Sequence, residues 1–206
     1  MKAKLSQYGE HSVLIEEFEG FPAIWIESLE KHFPTALVRA GLESVLLTFP
    51  DHSDHMRQVE AKLPKVENTT VIRSSKLVEI PTEYSGEDLE LVAKTLGLSV
   101  ADVIAEHSQT LWTVKLIGFA PGFPYLVPSE GTTVLSSIGR IATPRTKVPA
   151  GSVGIAAGMS CVYPTDMPGG WHLLGKTTVQ LFDASNSLQP TLLAIGDQVR
   201  FVEVNK

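Results

Sequence analysis

Three sets of residues in this chain have the types and spacing to do chemistry. Gly170, Gly175, Lys176 and Thr177 in "GWHLLGKT" match G-x-x-x-x-G-K-[ST], a loop whose backbone amides cradle phosphates ahead of a helix. Arg140, Arg145 and Lys147 in "GRIATPRTKVPAG" stand among prolines and glycines, so their side chains are presented by a stiff backbone rather than packed. Such a group can fix a carboxylate or a phosphate, Arg doing so bidentately, although a plain solvated turn would read the same way. His107 closes "LSVADVIAEHS", and histidine is the commonest general acid or base in small-molecule sites. A histidine at a helix end also serves as a dipole partner or a core packer.

The phosphate-loop match lacks its context. Bulky Trp171, His172, Leu173 and Leu174 fill the loop, "YPTDMPG" precedes it, and "TTVQLFD" after it alternates like a strand instead of opening a helix. Nucleotide binding by a true phosphate loop is therefore not expected, although Lys176 remains free to meet an anion in another way. His52 and His55 in "DHSDH" sit three residues apart at a predicted helix start, where Asp51 or Ser53 would cap. Further ligands at sensible spacing are missing, so no metal is expected. Cys161 lies in apolar "AAGMSCVYP" with no adjacent base and reads as a buried small side chain rather than a nucleophile.

A different kind of signal comes from "KLIGFAPGFPYLVPSE". Gly118 and Gly122 permit bends that Pro121 and Pro124 freeze, which would hold Phe119, Phe123 and Tyr125 out at the end of a strand. A rigid apolar loop of this kind suits the wall of a small-ligand cleft or an anchor for a partner protein.

The elements that position these residues divide the chain at about residue 84. Residues 1–84 read as mixed α and β: a strand at "HSVLIEEF", a helix at "FPAIWIESLEKHF", a hairpin from "TALVRAG" and "ESVLLTF", a polar helix at "DHSDHMRQVEAKL" and a strand at "TTVIRSSKLVEIP". That order fits a small ferredoxin-like layer of helices on an antiparallel sheet. Residues 85–206 begin with two short helices. The first carries Leu89, Val92, Ala93 and Leu96 on one face and stops at Gly97; Ser99 and Asp102 form a capping box for the second. The pair resembles a DNA-binding helix-turn-helix, but the second helix offers Asp102, Glu106 and His107 and no Lys or Arg, so it reads as a structural linker. Beyond it "LWTVKLIGF", "GSVGIAAG", "CVYP", "TTVQLFD" and "DQVRFVEV" are strand candidates, and eleven of the 16 glycines lie past residue 117. Short strands with frequent turn residues and almost no helical pattern indicate a closed or nearly closed β-barrel.

Composition narrows the class. With 206 residues and 43% hydrophobic content the chain can build a sizeable core. Its net charge of −6 divides into −8 over residues 1–107 and +2 over 108–206, so neither half offers the strongly basic face that nucleic acid demands. No apolar run is long enough for a membrane span, and the start reads as mature polar protein without a leader. One cysteine excludes an internal disulfide framework and suits a reducing cytoplasm.

Taken in order, "GFAPGFPYL", "TPRTKVPAGSVGIAAG", "YPTDMPGGWHLLGKT" and "GDQVRF" resemble the KipI family, also called allophanate hydrolase subunit 1, many members of which are the B subunit of 5-oxoprolinase. These motifs cover residues 107–202. The resemblance implies a small α+β amino-terminal domain followed by a cyclophilin-like β-barrel. It implies a homologous second chain (KipA, or the C subunit of 5-oxoprolinase) and a third, the A subunit of the same enzyme. It also implies ATP as co-substrate, bound with or by a partner, for the opening of 5-oxoproline to glutamate. An unstrained lactam needs activation, and phosphorylating its amide oxygen makes a better electrophile for water. Such a site holds a carboxylate and meets phosphoryl charge, which suits Arg145 and Lys147. The expected site therefore has His107 and Arg145 in catalysis, and Phe119, Pro121, Gly122, Phe123, Tyr125, Lys147, Tyr163 and Lys176 in substrate binding. The chain departs from the family at Met159, where a glutamine amide is common. The resemblance also implies other roles: inhibition of a sensor histidine kinase, an allophanate hydrolase, or a peptidyl-prolyl isomerase by fold alone.

Overall fold

The structure is a computed structural model that describes residues 3–17, 22–51, 54–63 and 75–204. The chain divides into two compact units, residues 1–72 and 73–206.

In the first unit, β1 (Lys4–Tyr8), β2 (Ser12–Glu16), β3 (Leu37–Ala40) and β4 (Ser44–Thr48) form an antiparallel sheet in the order β1-β2-β4-β3. Alternation puts Val13 and Ile15 of β2 and Val45 and Leu47 of β4 on one buried face. Helices α1 (Ile26–His32) and α2 (His55–Lys62) cover it with Leu29 and Val59. This is the α+β layer expected, with one difference. The strand the sequence reads at "TTVIRSSKLVEIP" is not part of this sheet, whose fourth strand is β1. The first part of that segment lies outside the described residues, and its second part belongs to the other unit. The chain thus divides at 72/73 rather than at 84/85.

The second unit contains β5 (Leu77–Thr82), α3 (Leu89–Leu96), α4 (Val100–Gln109), β6 (Trp112–Ile117), β7 (Pro124–Pro128), β8 (Arg145–Val148), β9 (Ser152–Ala156), β10 (Met159–Val162), β11 (Met167–Gly169), β12 (His172–Lys176) and β13 (Gln198–Glu203). Seven strands run in the order β12-β9-β10-β7-β6-β13-β5, all neighbours antiparallel except β5 and β13. The two ends of this sheet meet: Glu83, just past β5, exchanges two backbone hydrogen bonds with Lys176 of β12, each 2.9 Å long. Gly86 N–H continues the contact to Leu174 O at 3.0 Å, and the sheet closes as a barrel.

Closure depends on two glycines. A Cβ on Gly86 would stand 2.2 Å from the Leu173 carbonyl oxygen, and one on Gly175 would stand 2.4 Å from that of Glu83. The helices are more than a linker. Leu89, Val92, Ala93 and Val103 enter the same core as Ile80, Trp112, Val114, Leu126, Ile155 and Phe201. Their caps form as the sequence predicts, with Gly97 left-handed at φ 68° and the Ser99–Asp102 box complete.

Candidate functional site

The aromatic loop is built by a slip in pairing. Val114 faces Leu126 but Leu116 faces Tyr125, so Lys115 is an extra residue and β6 bends into the turn. The turn closes through Gly118 N–H to Phe123 O and Phe123 N–H to Ala120 O, both 3.1 Å. Gly122 is left-handed at φ 77°, and a Cβ there would stand 2.7 Å from that of Phe182. Phe119 takes φ 70° without being glycine and remains 70% exposed. Backbone strain is thus spent on displaying an aromatic ring.

Phe123 is the hub of a ring cluster. It meets Phe119, Tyr125, Tyr163 and Trp171 edge to face, with centroids between 5.2 and 6.0 Å. Phe119, Phe123, Tyr125, Tyr163 and Trp171, with Arg140, Gly169 and Gly170, line a cavity of about 80 Å³. The segment carrying Arg140 is pinned on both sides: Ala157 N–H donates to Ile138 O at 2.6 Å, and Ile141 N–H donates to Gly170 O at 2.9 Å. Arg140 is exposed and has no ion pair among the described residues. It is the cationic member of an otherwise aromatic and glycine lining.

Tyr163 is buried, and its hydroxyl makes no well-formed hydrogen bond among the described residues. A Cβ on Gly169 would stand 2.2 Å from that oxygen, so only glycine fits against it. Burial pushes the Tyr163 phenol up, as does the Cys161 thiol; the nearby Trp171 amide, Arg145 and Arg140 pull the other way. Tyr125 is also raised, mainly by burial and against the pull of Arg140. Both phenols are neutral donors at neutral pH.

Of the residues expected at the site, Phe119, Phe123, Tyr125 and Tyr163 come together in this cavity. Pro121 and Gly122 shape the loop and do not line it. The remaining cations sit elsewhere, each with a carboxylate. Arg145 donates to both Asp88 oxygens at 2.8 and 2.9 Å, reaches Glu87 at 2.7 Å, and touches Trp171 O at 3.3 Å. Asp88 in turn accepts the Leu173 amide at 2.7 Å, so Arg145 ties the start of α3 to β12. Lys147 pairs with Asp166 at 2.8 Å and Lys176 with Glu83 at 3.3 Å.

His107 lies in the barrel interior with no exposure. Its Nδ1 bonds the Tyr84 hydroxyl at 2.7 Å and its Nε2 the Ser160 hydroxyl at 2.8 Å. Burial lowers its pKa to about 3, so the ring is neutral. Cys161 is buried too, and its thiol is pushed up by desolvation. The phosphate-loop look-alike is β12 itself, and among the described residues no helix follows it and "TTVQLFD" contributes only the bridge Phe182–Thr191. His52 lies outside the described residues, while His55 stacks on Phe49 at 3.9 Å. Among the described residues no three His, Cys, Asp or Glu side chains gather for a metal, and no helix is long and apolar enough to cross a membrane.

Sequence reasoning missed Trp171 and passed over Arg140 within its own cation cluster. The first was hidden inside the phosphate-loop pattern. The second became distinct only when its neighbours Arg145 and Lys147 proved to be paired.

Comparison with known proteins agrees with this architecture. The chain is 42% identical over 153 residues to a Bacillus subtilis protein named as the B subunit of 5-oxoprolinase, covering 73% of this chain and 62% of that one. It is 48% identical over 130 residues to the Haemophilus influenzae protein of the same name, covering 61% and 58%. The chain thus spans about three fifths of the length of these curated relatives. The crystal structure of TTHA0988 superimposes with a TM-score of 0.75 at 33% identity, covering 95% of this chain and 40% of that one. Residues 5–193 match the model of the carboxyltransferase domain, subdomain C and D, and the chain belongs to that family.

Proposed function

We propose that this chain is one component of an ATP-dependent 5-oxoprolinase and takes part in opening 5-oxo-L-proline to L-glutamate. The observation that carries the reading is the 42–48% identity to proteins named as the B subunit of 5-oxoprolinase. The aromatic cavity supports it by the chemistry of its lining, ring edges with a cation beside them, which suits a small cyclic acid. In this reading the chain acts in the cytoplasm with its homologous partner (KipA, the C subunit) and with the A subunit, and ATP is bound with or by those partners.

The division of labour within the chain follows from its ion pairs. Phe119, Phe123, Tyr125 and Tyr163 form the substrate wall, with Pro121 and Gly122 holding the loop that carries it. Arg145, Lys147 and Lys176 serve the framework, because their charges are already matched by Asp88, Glu87, Asp166 and Glu83. His107 is a core scaffold, neutral and sealed from solvent, in place of the acid or base its position in sequence suggests. The test is reconstitution of the complex with and without this chain, reading ADP and glutamate release from 5-oxo-L-proline. Release should depend on this chain, and equal rates in the two mixtures would refute the assignment.

A further inference from the structure

We propose that the cavity is a binding site for a small cyclic carboxylic acid, with Arg140 taking the carboxylate and the Tyr163 hydroxyl completing its hydrogen bonding on the ligand. The proposal rests on the reading above and deepens it by naming the residues that recognise 5-oxo-L-proline in this chain.

Arg140 is the first part of the case. Five cations of the second unit, Lys76, Arg145, Lys147, Lys176 and Arg200, each have a carboxylate within 4.0 Å, whereas Arg140 has none among the described residues. Its backbone is nonetheless held beside the cavity, since the segment is fixed by bonds at Ile138 and Ile141. A guanidinium with no carboxylate of its own, carried on a fixed backbone at the edge of an apolar cavity, suits a ligand's carboxylate.

Tyr163 is the second part. The Trp171 amide lies close to this hydroxyl as a donor, so the phenol's own proton is left without a well-formed acceptor, and a buried donor in that state costs about 1–3 kcal/mol and calls for an explanation. This one stands against Gly169 in the lining of the same cavity. An acceptor oxygen drawn against Gly169 and Gly170 would satisfy it. The rings supply the third part: Phe123, Tyr125 and Trp171 offer apolar faces and edges to a small ring, and Phe119 stands exposed at the rim. The ligand these features describe is compact, has one apolar ring, carries one carboxylate and presents a further oxygen acceptor.

Calorimetric titration of the full chain, alone and in the reconstituted complex, tests this with 5-oxo-L-proline, 2-pyrrolidinone and inorganic phosphate. The acid should bind about tenfold to a hundredfold more tightly than 2-pyrrolidinone, which has the ring without the carboxylate. Arg140→Ala should abolish that preference, and Arg140→Lys should keep part of it. Tyr163→Phe should weaken binding about fivefold or more while the melting temperature holds or rises, because the variant removes an unsatisfied buried hydroxyl. A merely structural tyrosine would not separate affinity from stability in this way. Equal affinity for acid and pyrrolidinone, binding unchanged by Arg140→Ala, or phosphate competing for the site would each overturn the proposal. Turnover by the complex that survives Arg140→Ala would reject this site and leave the proposed function standing. Carboxylate-dependent binding without turnover would do the reverse.

Discussion

Replacing Arg145 by alanine separates a framework role from a catalytic one. The side chain is 23% exposed and Asp88 only 10%, so the pair is largely screened from water by protein. Removing the guanidinium takes two charged hydrogen bonds from Asp88 and leaves its carboxylate with the Leu173 amide as its remaining donor. Breaking a fully buried pair by deleting one partner costs about 3–5 kcal/mol. Partial exposure, and the release of Glu87, which is 63% exposed, to solvent argue for a cost below that range, about 2–3 kcal/mol. For a chain of this size that is a fall of roughly 4–12 °C in melting temperature. Thermal unfolding followed by circular dichroism reads the fall directly. Arg145→Lys should restore part of it, since charge returns without the fork that spans two oxygens. An alanine variant with an unchanged melting temperature and abolished 5-oxoproline turnover would refute the framework role and return Arg145 to the substrate.

Two further predictions follow from the same barrel. Gly86→Ala should prevent proper closure, because its Cβ would meet the Leu173 carbonyl at 2.2 Å with backbone on both sides; soluble protein of undiminished stability would contradict this. His107 gives a pH signature. Its folded pKa of about 3 lies below its unfolded value, near 6.5, so the unfolded chain binds the extra proton and stability falls as pH drops through that window. The loss approaches about 1.4 kcal/mol per pH unit near pH 5. Urea unfolding at pH 7 and pH 5 measures it; His107→Gln should flatten this component, and a slope identical in the variant would exclude His107 as its source.

The parts of this fold that were legible in sequence were those written in local chemistry. Helices α3 and α4 announced themselves through Gly97 and the Ser99–Asp102 box, and β6, β9 and β13 through runs of β-branched and apolar residues. Strand β12 did not, because its register shifts between Leu173 and Gly175 and breaks the alternation that would have marked it. The segment after it alternates well yet pairs only at Phe182, since alternation records a buried face and not a backbone partner. For the same reason the sequence does not place β5 with the barrel: nothing in "LVEIPT" names β13 as its parallel neighbour.

The site followed the same rule. Its aromatics were visible as a cluster in sequence, whereas the choice among cations required knowing where the carboxylates fall. Asp88 lies 57 residues from Arg145, and no spacing rule connects them. Trp171 and Arg140 share a cavity because one backbone bond, Ile141 to Gly170, brings two turns together.

The parallel pairing of β5 with β13 has a consequence for how the protein is made. Strand β13 sits between β5 and β6, so until Gln198–Glu203 has left the ribosome both of those strands present an unpaired edge on that side. The first unit can form its sheet from contacts within 72 residues, whereas the barrel waits on a pairing whose flanking bond, Lys76 to Asp197, spans 121 residues. Closing so long a loop is slow, and during that interval the nascent chain exposes sheet edges that can pair with other molecules. The barrel's synthesis therefore has a vulnerable period that the amino-terminal unit lacks, and its yield in the cell should depend on temperature and chaperone supply far more than its final stability suggests.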